Sequence, residues 1–408
     1  MENRKKFLAL ACLYTAQLIP GHFATNALPV IMRNEGFSLR SIGFAGMISM
    51  PWALKFLWSP VVDRWGRGKN HYRKWIFVMQ ILFASATLAS AFFSLNENFM
   101  TVIMLMTLSY FFASTQDIAV DAYAVKMLEP AERGVGNGIQ AGGNMLGVVL
   151  GSSLALILYI RTSWGTTLVT LFIVTMLLSA PLIFSGEEKS PDPVRAASYR
   201  DIVSFFRISG IKRLIPVMLL AFGGVFSAMT MIKPLMIDQG YSWNFISAAI
   251  GLYPLAGVPA ALTAGFAVKK YGRRKVMLAS SAFQIFACLM LVPVASGNGG
   301  IYLIQVAMCV VFISFSLLLT VFNTIAMDFA RKGREGTDFT MFMSVTFFGG
   351  MFIAGISGAV AQYFGYVILF LLCSFICLLV YLLLENLFHN GRIADTEECE
   401  SGCPDGVQ

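Results

Sequence analysis

The fold of this chain is decided by a repeated stretch, Ile118-Ala119-Val120-Asp121-Ala122-Tyr123, whose second copy is Ile325-Ala326-Met327-Asp328-Phe329-Ala330. The offset between the copies is about half of the 408 residues, and other pairs keep nearly the same offset. Leu28-Pro29-Val30-Ile31-Met32, for example, matches Lys233-Pro234-Leu235-Met236-Ile237. Two similar, strongly apolar halves are typical of membrane transporters built from an internal repeat.

The composition places the chain in a lipid bilayer. Hydrophobic residues make up 57% of it and charged residues only 13%, whereas a soluble domain carries about 25% charged residues. A helix needs about 20 apolar residues to cross the hydrocarbon core. Twelve such runs occur, six in each half: 7–32, 42–61, 75–94, 99–121, 135–159, 165–185, 214–237, 244–267, 276–295, 300–327, 339–361 and 365–388.

The basic residues mark loops rather than a soluble domain. The net charge is +8, and most lysines and arginines lie at the N-terminus, in alternate loops and in the connection between the halves. The other loops hold little beyond Arg33, Arg40 and Arg161. By the positive-inside rule, both termini and the central connection are cytoplasmic. The charge is therefore a topology signal, and we expect no nucleic-acid partner.

These features predict an all-α membrane protein with twelve transmembrane helices in two six-helix bundles related by pseudo-two-fold symmetry. The expected divisions are an N-terminal bundle (1–185), a cytoplasmic central loop with an amphipathic segment (186–213), a C-terminal bundle (214–388) and a disordered tail (389–408). We expect a monomer that contacts membrane lipid. Cys399 and Cys403, in the tail, receive no assigned role.

The turn after the second run carries a loop signature. It combines a tight glycine turn, an acid free to form a salt bridge at a helix end and basic residues that hold the loop at the inner interface. Its residues are Asp63, Arg64, Gly66 and Arg67, with Gly272 and Arg273 in the second copy. Lys269 replaces the acid there, which argues against a matching charge lock in the second half.

This signature resembles that of the major facilitator superfamily. With twelve runs, a long central loop and a two-half repeat, the resemblance covers nearly the whole chain. It implies two six-helix bundles around a central cavity that opens alternately to each side of the membrane.

Two further segments are similar to those of a narrower group, the AmpG-like muropeptide permeases and their relatives. The segments are Phe56-Leu57-Trp58-Ser59-Pro60, preceded by Lys55, and Thr115-Gln116-Asp117-Ile118-Ala119-Val120-Asp121-Ala122, with Glu132-Arg133-Gly134 beyond it. The typical muropeptide permease is longer, with two extra spans. In size this chain is closer to the RhtX/FptX-type siderophore permeases, which implies uptake of a siderophore or its ferric complex across the bacterial inner membrane.

Few ionisable residues lie inside predicted spans, where a charge costs roughly 2.5 to 3.5 kcal/mol. Lys55 lies in the inner half of the second run, and Asp117 and Asp121 lie one turn apart on the fourth. Counted along the helices, Lys55 is about 21 Å and Asp117 about 27 Å from the outer ends. We predict a Lys55–Asp117 pair that breaks during transport while the carboxylate takes up a proton. The alternative is a fixed salt-bridge cluster of Lys55 and both aspartates with Arg133.

Asp328, the repeat counterpart of Asp121, is a further gating candidate. It lies at a cytoplasmic helix end, where pairing with Arg331 or Arg334 would explain it without any role in coupling.

Polar and aromatic residues of the spans are candidates for the substrate cavity, which spans one, four, seven and ten line in the superfamily. The predicted cavity residues are Tyr14, His22, Asn26, Tyr110, Gln140 and Asn144. For His22 the other interpretation is a hydrogen bond to a neighbouring helix, and for the aromatic residues it is a position facing lipid. Asn137, Gln140 and Asn144 form one polar stripe that either binds substrate or joins helices.

Glycines concentrate in the fifth and eleventh runs. Because small residues let helix backbones approach closely, we expect helix contacts at these positions, either for rocking of the bundles or for ordinary tight packing. They include Gly143, Gly147, Gly151, Gly349, Gly350, Gly355 and Gly358.

Three functions are compatible with these patterns. The first is proton-coupled uptake of a siderophore, the second is uptake of an anhydromuropeptide, and the third is a non-transporting membrane sensor. An enzyme is not expected, because no catalytic triad, metal-ligand set or nucleotide loop occurs in the sequence, and we predict neither a cofactor nor a metal.

Overall fold

The computed structural model describes residues 2–37, 41, 45–65, 68, 70–184, 198–208, 210–297 and 300–389. Most of the described residues are helical. Helices are the expected solution for such an apolar chain, because a backbone in lipid has no water to bond and must pair its N–H and C=O groups internally.

Six helical segments form the described part of the first half. They are α1 (Glu2–His22, the π-helical turn Phe23–Ala27 and Leu28–Asn34), α2 (Gly46–Ser49, Met50–Leu54, Lys55–Leu57 and Ser59–Arg64), α3 (His71–Ala89), α4 (Phe99–Met127), α5 (Arg133–Val149, the π-helical turn Leu150–Leu154 and Ala155–Arg161) and α6 (Trp164–Ser179 and Ala180–Phe184).

A short linker helix, Arg200–Phe205, precedes the second half. The second half contains α7 (Ile211–Leu220 and Gly223–Asp238), α8 (Trp243–Leu252, Tyr253–Ala256 and Gly257–Tyr271), α9 (Arg273–Leu289 and Leu291–Ala295) and α10 (Gly300–Phe329). The last helix, Glu335–His389, is broken at Gly365, where φ is 81°. It therefore comprises two helices, α11 (335–364) and α12 (366–389).

Each of the twelve predicted runs coincides with one of these helices. Within the described residues, nine helices are long and apolar enough to cross a membrane. Glu335–His389 counts once in that number, and α2 and α8 are not among the nine. The predicted all-α fold of twelve membrane helices is confirmed.

The interruption of α2 has a local cause. Pro60 has no N–H to give to the carbonyl of Phe56, and the hydroxyl of Ser59 donates to that carbonyl instead, at 3.0 Å. The chain just before the break forms the tight turn Lys55–Leu57, in which the Lys55 side chain is buried. The proline thus helps to place a charged residue inside the protein.

The chain divides into two compact units. Unit 1 comprises Met1–Pro130, Ile139–Val203 and Phe329–Met341, and unit 2 comprises Ala131–Gly138, Ser204–Asp328 and Phe342–Gln408. Each unit consists mainly of one half of the chain and includes a short segment of the other half. The bundle boundaries expected at residues 185 and 214 stay a prediction.

Glycines do bring helices together within each unit. In unit 1, a Cβ atom at Gly147 of α5 would lie 2.9 Å from Leu18 Cβ and from the Thr15 carbonyl oxygen of α1. In unit 2, a Cβ atom at Gly349 of α11 would overlap the backbone of Leu219 in α7. Gly355 differs, because nothing lies within 4 Å of such an atom there.

Candidate functional site

The centre of unit 1 contains a buried ion pair between α2 and α4. Lys55 Nζ binds Asp117 Oδ2, and the amide of Gln17 on α1 donates to Asp117 Oδ1 at 2.5 Å. Lys55 is 7% exposed and Asp117 is 5% exposed. The two side chains that the sequence places within reach of each other are therefore in contact, and three helices meet at one carboxylate.

Asp121 lies one turn further along α4 and is also buried. Its Oδ1 accepts hydrogen bonds from the Tyr14 hydroxyl at 3.0 Å and from the Gln140 amide at 3.1 Å. These donors are neutral, so Lys55 is the cation that this cluster uses for two carboxylates. A buried carboxylate without a counter-ion is costly. Among its described residues the cluster therefore carries one more carboxylate than cations.

The second candidate acid, Asp328, lies in unit 2 at the end of α10. Its carboxylate binds the guanidinium groups of Arg133 and of Arg273. Arg331 instead binds Asp338, at 2.7 Å, and Arg334 binds Asp201, at 3.2 Å. The alternative pairing of Asp328 with Arg331 or Arg334 is not observed, since arginines from α5 and α9 reach it. The fixed cluster of Lys55 and both aspartates with Arg133 stays an untested alternative.

Of the predicted aromatic residues, Tyr110 lies on the N-terminal side of the Lys55–Asp117 pair, beside Trp52. The rings of Tyr110 on α4 and Trp52 on α2 have centroids 5.6 Å apart. Lys55 Nζ lies 4.8 Å from the centroid of the Trp52 ring. His22 and Asn26 of α1 form a hydrogen bond of 3.1 Å between Asn26 Nδ2 and His22 Nδ1. The partner of His22 is therefore on its own helix.

The polar stripe on α5 is divided between different partners. Asn137 donates to the Arg133 carbonyl at 2.7 Å and to the Thr324 hydroxyl at 3.2 Å. Gln140 donates to Asp121, as described above. Asn144 has a buried Oδ1 that no described residue bonds. Two members of the stripe therefore join helices, and Asn144 remains the candidate for substrate contact.

Asp63 of the loop signature binds the start of α11 within unit 1. Its carboxylate accepts from the backbone N–H groups of Gly336 at 3.1 Å and Thr337 at 2.7 Å, from the Thr337 hydroxyl at 2.6 Å and from the Tyr72 hydroxyl at 2.8 Å. This is the capping arrangement that an acid makes at a helix N-terminus. Burial raises the pKa of Asp63 to about 6. The hydrogen bonds from Thr337 and Tyr72 favour the charged form and act in the opposite direction.

The remaining signature residues are less informative. Arg64 is exposed, and Gly66 and Arg67 lie outside the described residues. Gly272 joins α8 to α9 with a φ of 80°, a value that favours glycine. Arg273, which follows it, supplies one of the two cations on Asp328.

Three residues of these sites were missed in the sequence. Gln17 follows Tyr14 by one helical turn, so the shared face was readable, but its partner was not. Trp52 precedes Lys55 by one turn in the same way. Thr337 carries no sequence signal, because 274 residues separate it from Asp63.

Twelve apolar helices with ion-paired charges buried inside them define a multi-pass membrane transporter. The family description Major Facilitator Superfamily matches residues 7–353 of the chain. The chain therefore belongs to the major facilitator superfamily, as its loop signature implies.

Sequence relatives include permeases of the AmpG type. The anhydromuropeptide permease of Escherichia coli K12 is 24% identical over 379 residues, which cover 86% of this chain and 73% of that protein. An uncharacterized protein of Haemophilus influenzae is 25% identical over 283 residues, 66% of each chain. A putative transporter AmpG 1 of Rickettsia bellii is 20% identical and covers 88% of this chain and 93% of that protein. The AmpG-like resemblance is confirmed.

Solved structures share the fold. The human organic anion transporter MFSD10 has a TM-score of 0.68 at 16% identity, with coverage of 93% of this chain and 98% of that chain. A bacterial homologue of the iron transporter ferroportin, in an outward-facing state, has a TM-score of 0.69 at 14% identity, with coverage of 94% and 99%. At such identities the likeness concerns the fold alone.

Proposed function

We propose that this protein is a proton-coupled secondary transporter of the bacterial inner membrane that takes up an anhydromuropeptide by alternating access. The observation that carries the proposal is the buried cluster of Lys55, Asp117 and Asp121 within the membrane helices of unit 1. Among the relatives, the anhydromuropeptide permease of Escherichia coli supports the proposal, because its alignment covers 86% of this chain.

The cluster supports proton coupling through its charge balance. Separating Lys55 from Asp117 would leave each charge buried and unpaired, which costs several kcal/mol. A proton on the carboxylate removes the negative charge and makes the separated state accessible. Each proton that enters gains about 2.3 kcal/mol per 100 mV of membrane potential. The membrane potential thus supplies the drive for uptake.

The substrate assignment follows the relatives rather than the chain length. The size of the chain predicts a siderophore, and that prediction stays open. The relatives whose names state a solute carry anhydromuropeptides. We therefore place the muropeptide first and keep the siderophore as the second candidate.

The experiment that tests the substrate is uptake by right-side-out membrane vesicles from a deletion strain carrying the gene on a plasmid. Labelled anhydromuropeptide and labelled ferric siderophore are offered side by side, each with and without a protonophore. We expect muropeptide accumulation that the protonophore abolishes. Siderophore uptake alone overturns the substrate assignment, and accumulation that survives the protonophore overturns the coupling.

The same assay tests the cluster. Lys55→Met and Asp117→Asn should each reduce driven accumulation by more than tenfold, because each removes one partner of the buried pair, while the protein remains inserted. Matched controls are Lys270→Met and Asp238→Asn, which change exposed residues and should transport normally. Normal accumulation in both cluster variants assigns the pair a structural role.

A further inference from the structure

The paired rings of Trp52 and Tyr110 differ from the other aromatic contacts around the cluster. Both side chains are half-buried, and their rings are inclined at 55° with centroids 5.6 Å apart. Trp52 precedes Lys55 by three residues, and Tyr110 precedes Asp117 by seven, so both rings lie on the faces that carry the ion pair. Two ring faces and a cation therefore share one corner of unit 1.

The polar atoms of these two rings are without partners among the described residues, since neither the Trp52 indole N–H nor the Tyr110 hydroxyl forms a hydrogen bond there. Trp58, by contrast, donates to the Thr115 hydroxyl at 3.0 Å, and Trp164 donates to the Ser90 carbonyl at 3.0 Å. The Trp52 nitrogen and the Tyr110 oxygen are also not enclosed among the described residues. Both donors are therefore open to a ligand that supplies acceptors.

The platform is held in place before any ligand arrives. A Cβ atom at Gly21 of α1 would lie 2.3 Å from the ring of Tyr110, so only a glycine leaves room for the ring in this position. Lys55 Nζ lies against the Trp52 ring at 4.8 Å while it binds Asp117. A ligand that meets preorganised groups loses less free energy on binding.

We propose that Trp52 and Tyr110 form a binding platform for a ring of the transported solute, and that Lys55 binds a carboxylate of the same solute. The inference rests on the proposed function and names a part of its substrate site. The platform takes a ring with an apolar face, and its donors take a hydroxyl or carbonyl oxygen of the same ring. An anhydromuropeptide has this chemistry: its lactyl carboxyl is bonded to the peptide as an amide, and the peptide carries free carboxylates. A siderophore with a ring and a carboxylate has it too.

The proposal connects solute binding to the proton. A carboxylate on Lys55 draws the lysine away from Asp117, which then lacks its counter-ion. The cluster then holds two carboxylates without a cation, and one proton bound to it offsets the lost positive charge, so the solute and the proton enter together. The platform lies beside the ion pair, which is the place that this exchange requires.

The test is equilibrium binding to the purified full-length protein in detergent, with labelled N-acetylmuramic acid, N-acetylglucosamine and a carboxylate-bearing ferric siderophore as probes. The two sugars share the ring and differ in the lactyl group, whose carboxylate is free in N-acetylmuramic acid and stands in for the peptide carboxylates of a muropeptide. We expect the wild type to favour the acid, Trp52→Ala to weaken binding of both sugars about tenfold, and Lys55→Met to remove the preference for the acid. Trp58→Phe is the matched control, with binding as in the wild type.

Each outcome separates this inference from the proposed function. If vesicles accumulate muropeptide but Trp52→Ala and Lys55→Met bind the acid as tightly as the wild type, the platform is overturned and the transport function stands. If the siderophore alone binds, and Trp52→Ala and Lys55→Met weaken its binding, the platform stands and the muropeptide assignment fails. If Trp52→Ala does not fold, Tyr110→Phe, which removes one hydroxyl, should still weaken sugar binding about threefold, and unchanged binding overturns the proposal.

Discussion

Asp63, the acid of the loop signature, is buried in the folded protein. It is 2% exposed, and burial raises its pKa from 3.8 to about 6. Between these two values the folded protein keeps a proton that the unfolded chain has released. The free energy of unfolding therefore decreases as the pH rises through this window and becomes independent of this group above it.

We expect Asp63→Asn to remove this pH dependence, because an amide does not titrate yet still offers an oxygen to the N–H groups of Gly336 and Thr337. The measurement is thermal unfolding of the purified protein at several pH values from about 4 to about 7, where Asp63 contributes at most one proton to the wild-type slope. Glu97→Gln, a change at an exposed acid, is the control and should keep the wild-type slope. Equal slopes for wild type and Asp63→Asn would contradict the assignment.

Single residues also show how far a sequence can predict a site. Lys55, Asp117 and Asp121 were predicted because a charge inside an apolar run stands out, and helix geometry gives the depth of each charge. Their neutral partner Gln17 was not predicted, because an uncharged amide does not stand out in an apolar run as a charge does. The partners of Asp328 were not predicted for a related reason: Arg133 and Arg273 lie 195 and 55 residues away.

At the scale of helices, glycines decide how closely α1 and α5 approach. We expect Gly147→Val to destabilise the protein by about 1 to 3 kcal/mol, because its Cβ would meet Leu18 and the Thr15 carbonyl, both at 2.9 Å. Gly355→Ala should be neutral or stabilising by up to about 1 kcal/mol, since nothing lies within 4 Å of the new atom and alanine favours helices. Thermal unfolding of both variants tests these two expectations. An equal loss of stability in both variants would refute the argument from helix contacts.

Helix positions were predictable where helix interruptions were not. The apolar runs fix each helix, because only a continuous helix satisfies its backbone in lipid. The break in α2 depends on the Phe56 carbonyl, which Pro60 leaves without its helical N–H partner and to which the Ser59 hydroxyl donates. Hydropathy contains no information about this hydrogen bond, although the break in the helix places Lys55 where the site needs it.

For the whole molecule, the repeat and the apolar runs were sufficient to predict the fold, whereas the short segments that each unit takes from the other half were not. The residues 131–138 and 329–341 belong to these exchanged segments. They contain Arg133, which binds Asp328, and Arg334, which binds Asp201, and both partners lie in distant parts of the chain. Such contacts follow from the packed structure and leave no periodic pattern.

The distribution of charge over the whole chain makes a further prediction, that both termini are cytoplasmic. Basic residues fill alternate loops, and cytoplasmic loops are those that retain lysine and arginine. Green fluorescent protein fused after Gln408 should therefore fluoresce, and alkaline phosphatase fused there should be inactive. Phosphatase fused after Gly297, between α9 and α10, should be active, because an odd number of spans separates that loop from the C-terminus. Immunoblots control for expression of each fusion. Active phosphatase at Gln408 together with inactive phosphatase at Gly297 would contradict the predicted topology.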